Sequence, residues 1–133
     1  MQDLRYKNNK QKITEFTDLI AWQEGHRLVL LIYQMTKSFP LQERFSLSDQ
    51  IQRAVVSVTS NIAEGFGRQT IKEKVQFYYL AQGSLTEVKN QLIVARDIRY
   101  ISPSVFETIY NQASLTHKLL QGLITKSKSF ARS

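Results

Sequence analysis

Apolar residues recur along residues 47–68 at Leu47, Ile51, Ala54, Val55, Val58 and Ile62. Steps of three and four place all six on one face of an α-helix. Beside them, Arg53, Ser57, Asn61 and Glu64 form a hydrogen-bonding stripe at helical spacing. Gly65 is expected to close this helix as a left-handed cap, with Gly67 keeping the turn open before Arg68. The polar stripe is expected to tie the helix to its neighbours. Arg53→Ala would then be costly, because it would strand a buried partner.

Three further helices follow from the same periodicity. The first is expected from Thr17 or Asp18, both suited to a helix start, to about Lys37. Its centre, Leu28 to Tyr33, is apolar around the whole circumference, which implies cover on more than one side. Pro40 forces a loop over 38–46. The helix at 47–64 then starts with Ser46 or Ser48 as its cap. The third opens on Thr70-Ile71-Lys72-Glu73, a capping box, and runs to about Arg99, roughly 45 Å. Its apolar side carries Phe77, Leu80, Ala81, Leu85, Val88, Leu92, Ala95 and Ile98. Gly83 lies mid-helix, where close approach of a neighbour would compensate for its cost. Ser102-Pro103 opens the fourth helix, whose seam is Phe106, Ile109, Ala113, Thr116, Leu120 and Leu123. Leu115 and Leu119 lie off that seam. No segment alternates as a strand would, and no internal repeat is evident. An all-α, antiparallel up-down-up-down four-helix bundle is the simplest architecture. Its parts are a flexible basic tail over 1–15, a bundle over 16–125 and a basic tail over 126–133.

Composition changes this picture little, but charge changes it more. The 133 residues include no cysteine, which excludes disulfides, thiolate zinc sites and cysteine nucleophiles. The polar, basic N-terminus is not a secretory signal, and no apolar run is long enough to span a membrane. A cytoplasmic protein without a membrane partner is expected. The net charge is +7. Residues 13–117 balance ten cations with ten acids, so the excess lies at the two ends. One end carries Arg5, Lys7, Lys10 and Lys12, and the other Lys118, Lys126, Lys128 and Arg132. An antiparallel bundle starts its first helix and ends its fourth at the same pole. The two ends therefore converge on one face suited to RNA or DNA, although charged tails also occur simply as solvated ends.

Catalytic chemistry is not indicated. His26 and His117 lack carboxylate or histidine neighbours at ligand spacing, so no metal site is expected. Glu64 and Glu87 fit hydrogen bonding to Arg53 or Arg68 better than an acid–base pair. Gly65-Phe66-Gly67 lacks the spacing and the preceding strand of a phosphate loop. No cofactor is implied. Trp22, Tyr33 and Phe77-Tyr78-Tyr79 fit core or interface packing, with Tyr78 or Tyr79 able to face outward.

The stretch from Gln50 to Arg68, QIQRAVVSVTSNIAEGFGR, resembles the signature of the 23S rRNA intervening-sequence protein family. Supporting matches are Leu19 to Gln23, Phe39-Pro40 with Glu43, and Ala81 to Leu85 with Glu87 and Leu92. The similarity spans about residues 17–125. Thr59 stands where the family often has proline, which should leave the helix straighter. The resemblance implies an antiparallel four-helix bundle assembling as a homopentamer, often with a positive surface. Some members are encoded within insertions in 23S rRNA genes. A related bundle is the accessory variability determinant of diversity-generating retroelements. The expected function is a non-enzymatic, oligomeric nucleic-acid-binding protein, with RNA ahead of DNA. The alternative is an accessory subunit for a reverse transcriptase and its RNA.

Overall fold

A computed structural model of the protein describes residues 12–44 and 46–131. Four helices dominate it: α1 Ile20–Thr36, α2 Leu47–Phe66, α3 Ile71–Asp97 and α4 Pro103–Ala131. Short 3-10 turns at Phe16–Asp18 and Leu41–Glu43 precede α1 and α2. Each helix packs on the next, and α4 closes back onto α1, giving an antiparallel four-helix bundle. Among the described residues there is no strand.

The core is the apolar stripe of each helix turned inward. Leu28, Ile32, Ile51, Val55, Val58, Ile62, Leu85, Val88, Leu92, Leu120 and Ile124 are all fully buried. Tyr78 faces this core while Tyr79 is 44% exposed, so the tyrosine pair divides between inside and outside. Burial raises the pKa of the Tyr78 phenol.

The helix ends are held by specific groups. Backbone amides of Thr14 and Glu15 donate to the Asp18 carboxylate at 3.1 and 3.0 Å, and these bonds hold its pKa below the usual range. Residues 14 and 15 therefore belong to the folded body, and the expected tail boundary at 15 moves back. At α2 the N-cap is Ser46, one of the two serines that the sequence suggests, but its side chain bonds no amide of the helix. Glu43 accepts from the Leu47 amide at 3.3 Å, from the Ser46 hydroxyl, and from Tyr100 Oη at 2.6 Å. Thr70 caps α3 as expected, its Oγ1 accepting from the Glu73 amide at 3.1 Å. Ser102 Oγ accepts from the Val105 amide at 3.1 Å, with Pro103 in the first turn of α4.

The Glu43 cluster makes stability depend on pH. Its three donors, the Ser46 hydroxyl foremost, lower its pKa from 4.5. A lowered carboxylate pKa stabilises the fold above 4.5, and that contribution is lost as pH falls through the folded value. Glu43→Gln is expected to lower the melting temperature at neutral pH and to flatten its decline in acid. Circular dichroism melts across the acid range would measure both.

The glycines do not serve as the sequence suggests. No described glycine has a positive φ. Gly65 lies inside α2, and the helix ends at Gly67 with right-handed geometry. The left-handed residue is Arg99, with φ 67°. Its amide bonds the Arg96 carbonyl and the Tyr100 amide bonds the Ala95 carbonyl, at 3.0 and 2.9 Å, the two bonds of a Schellman cap. A Cβ in that region costs about 1–2 kcal/mol. Arg99→Gly is therefore expected to raise the melting temperature, by up to about 1 kcal/mol of stability after the entropy glycine adds to the unfolded chain.

The helices differ in length, and this shapes one pole. Gly25 faces Thr116 and Gln112 donates to Glu24, which sets the register of α1 on α4. From that register α4 runs about ten residues, roughly 15 Å, beyond Ile20. The tail expected from Lys126 is instead the last turn of α4, ending at Ala131, with Ser127 buried at 8% exposure.

Candidate nucleic-acid interface

The overhanging pole gathers the end of α2, the start of α3 and the end of α4. Helix α2 can come close to α3 there because Gly65 has no side chain. A Cβ at Gly65 would lie 2.8 Å from Tyr78 Cε1 and 3.0 Å from the Lys74 carbonyl oxygen. The turn that follows brings three further cations to this pole, namely Arg68, Lys72 and Lys74.

Each cation of the pole that touches a ring is held by it. Arg68 Cζ lies 4.5 Å from the Phe77 ring centroid, while its Nη2 pairs with Glu64 at 3.0 Å. Lys74 Nζ lies 5.3 Å from the Phe66 ring and donates to the Phe66 carbonyl at 2.5 Å. That carbonyl belongs to the last turn of α2, where the helix dipole favours a cation. Lys128 Nζ lies 4.9 Å from the Tyr79 ring and also contacts the Tyr79 hydroxyl. Lys72 and Lys126 are exposed. Positions in the ring pairs are fixed before any ligand arrives, so less side-chain entropy is lost on binding.

Of the cations singled out in the sequence, Arg5, Lys7, Lys10 and Arg132 lie outside the described residues. Lys12, Lys118, Lys126 and Lys128 are all exposed. Lys126 and Lys128 sit at this pole, whereas Lys118 lies two turns further back on the outer face of α4. Arg68, Lys72 and Lys74 were absent from that set. The signal for them was topological: in an antiparallel bundle the α2–α3 turn shares a pole with the end of α4.

The polar stripe of α2 divides. Ser57 Oγ lies 2.8 Å from Ser84 Oγ on α3, and Asn61 Nδ2 donates to Ser57 Oγ at 3.0 Å. Ser57 does tie two helices together, and Asn61 holds its hydroxyl from within α2. Glu64 pairs with Arg68 at the surface. The Arg53 side chain is 80% exposed and pairs with Asp49 in its own helix at 3.0 Å. The expected buried role of Arg53 does not hold. Exposed pairs of this kind contribute about 0.2–1 kcal/mol. Arg53→Ala should leave the melting temperature nearly unchanged, which a thermal melt would show.

Other candidate groups are accounted for by packing. His26 stacks on Trp22 with centroids 4.9 Å apart. His117 Nδ1 accepts from Lys89 at 3.3 Å, and burial followed by the Lys89 charge lowers its pKa, keeping the ring neutral. Glu87 accepts from Gln91. No cluster of three metal-ligating side chains occurs among the described residues, and none of their helices is long and apolar enough to cross a membrane. A cleft of about 460 Å³ between α1 and α4 at the opposite pole has no charged lining.

A family model described as the 23S rRNA-intervening sequence protein matches residues 17–122. No curated protein matches the chain. One similar solved structure is a protein of unknown function from the S23 ribosomal protein family of Bacteroides thetaiotaomicron. It superposes with a TM-score of 0.74 at 24% identity, covering 79% of this chain and 98% of that one. At that identity the likeness concerns the fold.

Proposed function

Because the chain belongs to the 23S rRNA-intervening sequence protein family, we propose that it is a non-enzymatic, oligomeric nucleic-acid-binding bundle of the cytoplasm, with RNA as its ligand. The observation that carries this reading is the gathering of Arg68, Lys72, Lys74, Lys126 and Lys128 at one pole, three of them held against aromatic rings. Fixed cations suit phosphates, which are the same in every sequence, so binding follows charge and spacing rather than base identity.

The oligomer is proposed as a ring of five. Support from this chain is the uncovered apolar surface of α1 and α2. Leu30 is 58% exposed, Tyr33 42% and Val56 39%. Gln52 bonds Thr36, and Thr59 packs against Gly25, so Val56 lies at a level between those two contacts, along the same groove as Tyr33. Light scattering at micromolar concentration tests assembly, and a clean monomer would refute it.

Binding is tested by anisotropy of a labelled RNA titrated with the full chain across a salt series. Each phosphate contact contributes a log–log slope of roughly −0.7 for single strands and −0.9 for a duplex. A steep negative slope is expected. Absent binding at low salt, or a slope near zero, would sink the reading.

A further inference from the structure

The contact between α3 and α4 is unusual along one flank. On α3 the residues turned to α4 include Tyr79, Gln82, Lys89 and Arg96. On α4 they include Phe106, Tyr110, His117, Gln121 and Lys128. Spacings of three, four and seven keep each set on one stripe of its helix. In place of apolar pairs, the flank is closed by polar rungs. Lys128 lies over Tyr79, Gln82 Nε2 donates to Gln121 Oε1 at 2.8 Å, Lys89 lies 5.5 Å from the Tyr110 centroid, and Arg96 Cζ lies 4.4 Å from the Phe106 centroid. From Tyr79 to Arg96 the ladder climbs about 25 Å.

Helix packing alone does not call for this arrangement, since leucines on both flanks would seal the seam better. The ladder sets three cations in line on an outer groove. They alternate with amide, imidazole and hydroxyl groups that can bond sugar or base. Asp97 pairs with Arg96 at 2.9 Å. Lys72 and Lys118 lie outward on the same two helices. The line begins at the basic pole, where the Tyr79 ring is 44% exposed.

We propose that the α3–α4 seam is a track for the phosphate backbone of single-stranded RNA leading off the basic pole, with Tyr79 as a stacking platform for an unpaired base. This rests on the RNA reading above and names the ligand form and the residues. A single strand fits because the cations form one line, whereas a duplex presents two backbones. An exposed tyrosine ring stacks only on a base free of its partner.

The test uses the full chain, with labelled oligouridylate and an RNA duplex as probes. Lys89→Gln with Arg96→Gln removes two seam charges, and Lys37→Gln with Arg53→Gln removes two charges elsewhere. The seam pair is expected to make the oligouridylate salt slope shallower by about 1.4, two contacts' worth, while the control pair leaves it unchanged. Tyr79→Leu, at an exposed position, is expected to weaken oligouridylate binding about tenfold and to weaken duplex binding much less, since the duplex loses only the ring that steadies Lys128. Thermal melts of each variant separate lost binding from lost folding, and Tyr79→Leu keeps the test alive if the seam pair melts early. If seam and control pairs act alike, or duplex binding responds equally, the track is wrong and the RNA reading survives. If the unmodified chain binds neither probe, both fall.

Discussion

Replacing Gly65 with alanine is expected to cost about 1–3 kcal/mol, because the added methyl group has no room and the groups around it cannot yield. Two of the three atoms it would meet are poor candidates for movement. The Lys74 carbonyl, at 3.0 Å, is backbone of the first turns of α3, and Tyr78, at 2.8 Å, is 2% exposed. The way out is to push α3 away from α2, and that would loosen the Ser57–Ser84 bond further along the same interface. Gly83→Ala is the matched comparison. Its Cβ would meet nothing within 4 Å, so a glycine-to-alanine change mid-helix should stabilise by up to about 1 kcal/mol. Thermal melts of the two variants should move in opposite directions. A destabilised Gly83→Ala would mean that another chain covers that surface.

Neutralising the pole should abolish most RNA affinity. Cutting the chain at 126 is the wrong way to do so, since it removes the packed last turn of α4 along with the charges. Substituting Arg68, Lys72, Lys126 and Lys128 by glutamine leaves the helix intact and removes four cations. With about 0.7 of slope lost per contact, four contacts amount to nearly 3 in the log–log salt slope for a single strand. At low salt that corresponds to an affinity loss of several orders of magnitude. Helical content and oligomeric mass should be retained. Unchanged affinity and slope would show that the pole is a solvated end, and that RNA, if bound, is held elsewhere.

The sequence made the helices plain because apolar residues recur in each over four turns or more, and steps of three and four have no other simple reading. What it hid were facts of contact. A glycine near a helix end is equally consistent with a left-handed cap and with close approach. Only the arrival of Tyr78 and Lys74 from α3 decides for Gly65. Nothing in the residue type announces that Arg99 would take the left-handed position. The end of α4 was masked by its cations, yet Leu120, Ile124 and Ser127 continue the inward spacing. The stripe of α2 was misjudged for a geometric reason. Each step of four residues advances about 40° around the helix. Arg53 therefore points to solvent while Ser57 and Asn61 rotate toward α3. The candidate site was half legible: the cations of α4 followed from charge counting, and those of the α2–α3 turn required the antiparallel closure.

The far pole has a practical use. Leu41, in the short turn before α2, is 87% exposed and well away from the overhanging cations. The chain has no cysteine, so Leu41→Cys would give a unique thiol on a rigid element about 40 Å from the α2–α3 turn, the length of α3. A dye placed there would not crowd the basic pole. Energy transfer from it to either end of a doubly labelled RNA would report the strand's direction along the bundle. In a closed ring, a set of identical dyes would also report the number of subunits by stepwise bleaching.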